Sequence, residues 1–224
     1  MPSYFAAIWA IVRKDIAAEW RSRQMLTAML AFVVLVIFIF AFTLDIDALT
    51  RRQIASGILW TTFAFAGTLG LNRTLATEGE RGSLDGLLLA PLERSAIYFG
   101  KTLANLFFML VVEIFTLPLY ALFYGMNLAH PGLWLVLLLG SWCFCAVGTL
   151  LAAMAAQARS RELLLPVLLF PLVLPVLVAA VRASSSLVNG LGWAYAWPSL
   201  NILIVYGIIM PALGFMFFDF IVEE

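Results

Sequence analysis

Charge is scarce in this chain. Lys, Arg, Asp and Glu make up 12% of its 224 residues, and thirteen bases cancel thirteen acids. So little polar surface cannot clothe a water-soluble core, and a net charge of zero gives no electrostatic case for binding nucleic acid. Histidine occurs once, at His130, and cysteine twice, at Cys143 and Cys145. The cysteines stand two apart in an apolar run, which on a helix aims them about 200° apart, so they neither pair nor share a metal. The outer-loop stretch MNLAHPG lacks the C-x-x-C-H haem-attachment pattern, and its histidine reads as a solvated loop residue rather than a haem ligand. No Ser-His-Asp set, metal cluster or dinucleotide fingerprint occurs, so no catalytic and no metal residues are expected. Gly100-Lys101-Thr102 echoes the end of a phosphate-binding loop, but Ser95 stands where its first glycine belongs, which excludes ATP binding by this chain.

What the sequence does have is apolar length. Hydrophobic residues make up 64% and the mean hydropathy is +1.03, the signature of an integral membrane protein. Runs at about 25–44, 54–75, 101–124, 132–157, 162–181 and 199–221 each approach or exceed the roughly 20 residues that cross a bilayer. The reading is an all-α membrane protein, residues 1–224 forming one transmembrane domain of six spans. Six spans leave no room for a nucleotide-hydrolysing domain of about 100 to 200 residues, so any energy source lies in a partner. Alternate segments hold ten Lys and Arg on the side of both termini and three, Arg51, Arg52 and Arg182, on the other. By the positive-inside rule both termini are cytoplasmic. The outward loops, 45–53, 125–131 and 182–198, are too short for an ectodomain, and Trp193, Tyr195 and Trp197 in the last read as an aromatic interfacial belt.

Residues 3–23 put Phe5, Ile8, Trp9, Val12, Ile16 and Trp20 on one helical stripe with Arg13, Lys14 and Arg21 opposite, an interfacial helix within residues 1–24. Glu19 sits at the edge of the stripe, four residues from Arg23 as a possible ion partner. The apolar run that follows is too long for a signal peptide and has no small-residue cleavage site. Gly57, Thr61, Ala64, Gly67, Thr68 and Gly70 in the second span, and Gly148, Ala152 and Ala156 in the fourth, mark close helix packing or a homodimer seam. Asn105, Met109 and Glu113 share one face of the third span, with Glu113 near the bilayer middle. Two readings stay open there: a polar strip along a substrate route or subunit seam, or a protonated Glu hydrogen-bonded to a neighbouring helix. Pro166, Pro171 and Pro175 break backbone bonds in the fifth span, as a static kink or a hinge.

The cytoplasmic segment 77–98 separates spans two and three. Glu78, Glu80 and Arg81 lead into Gly82-Ser83 as a helix start, then Leu84, Asp85, Leu87 and Leu88, ended by Pro91: a short amphipathic helix along the membrane surface, weakened by Gly86. This run, with Gly100-Lys101 opening the next span, resembles the coupling segment of ABC-2-type transporter permeases, which docks on a cytoplasmic ATPase. The proline-rich fifth span ending in Val181-Arg182-Ala183, the short loops and the length resemble more narrowly the B-type permease of the cytochrome c maturation system, the haem exporter family. The resemblance covers essentially the whole chain. It implies a homodimer in the prokaryotic plasma membrane that binds no cofactor tightly, with haem as substrate and ATP held only by a CcmA-like ATPase subunit. It also implies haem-handling CcmC-like and small CcmD-like membrane subunits and a CcmE-like haem chaperone as partners, beside membrane lipids. Two rivals are a generic ABC-2 exporter of lipid, drug or polysaccharide, and a membrane scaffold that moves nothing.

Overall fold

The computed structural model describes residues 3–44, 47–81, 93–126, 128–156 and 161–222. Among these residues there are seven α-helices and no strand: α1 Tyr4–Ser22, α2 Gln24–Thr43, α3 Ala48–Arg81, α4 Arg94–Tyr124, α5 Pro131–Ala156, α6 Arg161–Val188 and α7 Trp193–Val222. Helices α2 to α7 are long and apolar enough to cross a bilayer, so the six-span, all-helical expectation is met. Long apolar runs become helices because hydrocarbon offers no outside partner to a backbone N–H or C=O.

Two boundaries differ from the expected ones. The predicted outer loop 182–198 shrinks to residues 189–192, where Gly190 and Gly192 take φ of 79° and 84°, a region open to glycine. Ser184, Ser185 and Ser186 look like loop, yet the Ser186 hydroxyl donates to the Arg182 carbonyl at 2.8 Å and Ser184 does the same to Ala180. Serines that bond back four residues satisfy themselves inside the helix. Trp193, Tyr195 and Trp197 are therefore exposed residues of α7 and not of a loop. At the other end α4 starts at Arg94, before the expected residue 101.

The centre of the bundle is α3 and α5, whose spans are 67% and 72% buried, against 22% for α2 and for α7. Trp60 of α3 lies on Gly140 of α5, where any Cβ would strike the indole, and donates from Nε1 to Ser184 of α6 at 3.0 Å. Gly67, Gly70 and Gly148 likewise receive Phe144, Met29 and Leu71 of this chain, so the small-residue faces pack internally. Gly57 is different: it borders an apolar groove of ≈ 470 Å³ between α2 and α3 and meets nothing within 4 Å.

Helix α1 departs from the single lipid-facing stripe expected of it. Phe5, Trp9 and Trp20 are exposed, but Val12 is buried together with Ala7 and Ile11. The second face is pressed on α4, where Ile11 comes so close to Gly100 that a Cβ would sit 2.9 Å from it. Lys101 Nζ lies 2.8 Å from Asp15, both side chains almost fully covered, and Lys14 stands 3.3 Å from the same carboxylate. The expected Glu19–Arg23 pair gives way to a cap: Glu19 Oε1 accepts from the N–H groups of Met25 and Leu26 at 2.9 and 3.0 Å. Those are orphan donors at the start of α2, and a carboxylate is favoured there by the helix dipole. Arg23 makes the corner with φ 54°, the left-handed cap that ends α1.

Candidate functional site in the middle of the bundle

The coupling residues expected from sequence fall largely outside the described residues: Gly82, Leu84, Asp85, Leu87, Leu88 and Pro91 are among residues 82–92. Glu78, Glu80 and Arg81 lie on the last turns of α3. The described helices instead assemble polar groups at mid-membrane, starting from Glu113. Its side chain is 2% exposed and accepts a hydrogen bond from the Ser141 hydroxyl of α5. Two turns toward the N-terminus of α4, Asn105 Nδ2 donates to Thr149 Oγ1 of α5 at 2.9 Å. Asn105 and Glu113 are eight residues apart on α4, and Ser141 and Thr149 eight apart on antiparallel α5, so the two pairs fix one register. The shared face read from sequence is real, and its partner helix is α5.

Helix α5 turns its next residues the other way. Trp142 Nε1 donates to the Gly207 carbonyl of α7 at 2.9 Å, and Cys143 Sγ approaches the Leu203 carbonyl at 3.2 Å. Both cysteines are free thiols in the core, as their spacing implied. From α7, the Tyr206 hydroxyl donates to the Leu172 carbonyl of α6 at 2.7 Å. Counting at 1.5 Å per residue from the helix ends on the side of His130, Ser141, Glu113, Gly207 and Leu172 lie between about 15 and 24 Å deep. They form a belt across four helices: α4, α5, α7 and α6.

Two of these bonds meet prolines. Pro211 has no N–H for the carbonyl four residues back, which is that of Gly207, the one Trp142 occupies. Pro175 disturbs the turn before it, which holds Leu172, the carbonyl Tyr206 occupies. Helix α6 continues through Pro166, Pro171 and Pro175, the last two exposed. Trp142, Tyr206 and Ser141 were missed by sequence reading. A tryptophan or tyrosine inside a span beside a proline-bearing helix is the only local signal they carry, because a buried indole N–H or phenol needs a partner.

A cavity of ≈ 10 Å³, about the room of one water, between α2, α3, α4 and α5 is lined by Asn105 and Met109 together with Met25, Met29, Phe108 and Cys145. This is below the roughly 300 to 1,000 Å³ of pockets that enclose small molecules. Between α4 and α5, the single histidine is a structural cap rather than a loosely solvated residue. His130 Nδ1 accepts from the Gly132 N–H at 3.1 Å at the start of α5, and its ring lies 5.9 Å from that of Trp193. Among the described residues no group of three or more His, Cys, Asp or Glu converges as a metal site.

Six spans packed by internal hydrogen bonds define a multi-pass helical membrane protein. The chain belongs to the CcmB protein family, whose model matches residues 6–218. It is 33% identical over 172 residues to "Heme exporter protein B" of Rhodobacter capsulatus, covering 75% of this chain and 78% of that protein. It is also 33% identical over 179 residues to the protein of that name from Paracoccus denitrificans, covering 78% and 80%. With the Haemophilus influenzae protein of that name the identity is 27% over 176 residues, covering 76% and 77%.

Proposed function

We propose that this chain is the non-catalytic permease subunit of an ATP-driven haem exporter serving cytochrome c maturation. Membership of the CcmB family over residues 6–218 carries the reading, together with relatives named as haem exporters across most of their length. The subunit is a single transmembrane domain that works as a homodimer in the prokaryotic inner membrane, both termini cytoplasmic. A separate CcmA-like ATPase binds the ATP and docks on residues 77–98, with Leu84, Leu87 and Leu88 as the apolar contact and Glu78, Glu80, Arg81 and Asp85 around it. Haem is substrate, handled with CcmC-like, CcmD-like and CcmE-like partners.

Two features bear on how it works. Asn105 and Glu113 are spent on Thr149 and Ser141, and the cavity that Asn105 lines measures only ≈ 10 Å³, so a route past them would require α4 and α5 to part. Lys101, just beyond the docking segment, is tied to Asp15 on α1, and α1 caps α2 through Glu19. A push on the coupling segment therefore reaches α4, α1 and α2 together, and α6 bends at Pro166, Pro171 and Pro175. This favours a subunit that transmits motion over one that encloses haem.

The test is a haem-stained gel of membranes from a strain lacking this gene, complemented with the wild type or with Leu87→Asp. Covalent haem bands return with the wild type, and with Leu87→Asp they do not, while the ATPase no longer copurifies. Bands that persist in the deletion strain remove the haem assignment and leave a generic ABC-2 exporter. An ATPase that still copurifies with Leu87→Asp removes the docking role.

A further inference from the structure

The two proline joints at mid-membrane share a construction that the proposed function does not require. Adjacent residues of α7 serve both: Tyr206 gives its hydroxyl to the Leu172 carbonyl of α6, and Gly207 gives its carbonyl to the Trp142 indole of α5. At Pro211 the carbonyl is the one left without an intrahelical donor, and at Pro175 it lies in the turn the proline ring disturbs. The Trp142 indole thus stands in for the donor that Pro211 lacks, and the Tyr206 hydroxyl adds a second bond to a carbonyl one residue past the one that Pro175 leaves without a donor, that of Pro171. Such a bond is stronger than a packing contact yet weak enough to break in a working cycle, about threefold in an equilibrium for an average interhelical bond in a membrane.

We propose that Tyr206 and Trp142 are positioning residues, clamps that hold the proline joints of α6 and α7 closed, and that release of the Tyr206 clamp is a step of the transport cycle. The Tyr206 clamp is the one to open. Its hydroxyl lies at an exposed site, whereas the Trp142 bond is partly buried. Pro171 and Pro175 are on the exposed side of α6, so the segment they weaken can swing outward without dragging the core residues Leu169, Val173 and Val176 of the opposite side past α5.

The inference rests on the reading of a haem-exporting permease, and its test separates the two. Tyr206→Phe, Pro175→Ala and the double variant are expressed in the deletion strain, and covalent haem is measured per immunodetected subunit, which corrects for any loss of folded protein. Tyr206→Phe lowers haem loading about threefold. Pro175→Ala lowers it as well, because the restored N–H stiffens the joint, and adding Tyr206→Phe to Pro175→Ala changes nothing more. Trp142→Phe and Pro211→Ala behave in the same non-additive way. A residue that merely packs gives additive losses in the double variants, and additivity overturns the proposal. So does wild-type loading with Tyr206→Phe alone. An empty wild-type lane overturns the haem reading and this inference with it, whereas a filled wild-type lane beside either contrary result overturns the clamp alone.

Discussion

The α4–α5 seam and the α6–α7 pair are both crossed by hydrogen bonds at mid-membrane, but they are built from different parts. Across α4–α5 side chain meets side chain: Glu113 with Ser141 and Asn105 with Thr149. Across α5–α7 and α7–α6 a side chain meets a backbone carbonyl next to a proline. The first arrangement fixes register, because a slip of one residue leaves four polar groups stranded in hydrocarbon. In the second the indole supplies a donor that Pro211 denies the Gly207 carbonyl, whereas the Leu172 carbonyl still has the Val176 N–H four residues on, so breaking the Tyr206 bond strands only an exposed hydroxyl. One seam is a lock and the other a joint.

Two sets of changes test that contrast and a third stands as its control, the largest effect first. Glu113→Lys places an ammonium where Ser141 and a closed apolar wall await, at a cost of about 3 kcal/mol, enough to abolish assembly of the subunit. Glu113→Gln keeps an oxygen acceptor for the Ser141 hydroxyl and loses about 1 kcal/mol at most. The amount of folded subunit extracted from membranes and its thermal midpoint check both. Equal loss in the two variants would mean that the carboxylate charge, rather than the hydrogen bond, is what the seam needs.

The second change is a cycle on the register pair. Asn105→Ala and Thr149→Val each destabilise the subunit by about 1 kcal/mol, and the double variant costs less than their sum, since each single change strands the other partner. Thermal midpoints of the four proteins measure the coupling. A coupling near zero would make α4–α5 resemble the joint and erase the contrast.

The smallest effect lies outside both seams. Asp47 Oδ2 accepts from the Thr50 N–H at 3.0 Å and Oδ1 from its hydroxyl at 2.7 Å, capping α3. These bonds, the Thr50 hydroxyl first, hold its carboxyl below its ordinary value of 3.8. A group whose pKa is lower in the folded state stabilises above its unfolded pKa. That contribution is present above 3.8 and fades as pH falls through and below it. Asp47→Asn should flatten the acid end of a stability–pH curve slightly and leave both seams untouched, and a large shift there would show that α3 leans on its cap more than on its core.

Much of this was legible from the chain alone where the signal is local. The Asn105–Met109–Glu113 face follows from four-residue spacing, and the divergence of the two cysteines from a spacing of two. Glu19 was misread because its neighbour Arg23 is in reach by sequence, whereas the free N–H groups of Met25 and Leu26 exist only once α1 turns sharply into α2. The loop expected at 182–198 was misread because serine is scored as polar, although a helical serine can bond its own backbone. Trp193 and Trp197 followed that error into the loop and came out as the first turns of α7.

By itself the sequence determined the spans, their number and the side on which positive charge collects. A bilayer imposes those through length and desolvation, which act on each segment separately. Only the tertiary structure decided that Glu113 meets Ser141, that Asp15 meets Lys101, and that Tyr206 and Trp142 close the carbonyls near Pro175 and Pro211. To lipid, one apolar helix face is much like another. The choice among them is made by side-chain shape and by polar groups finding one another across helices, which no single segment records.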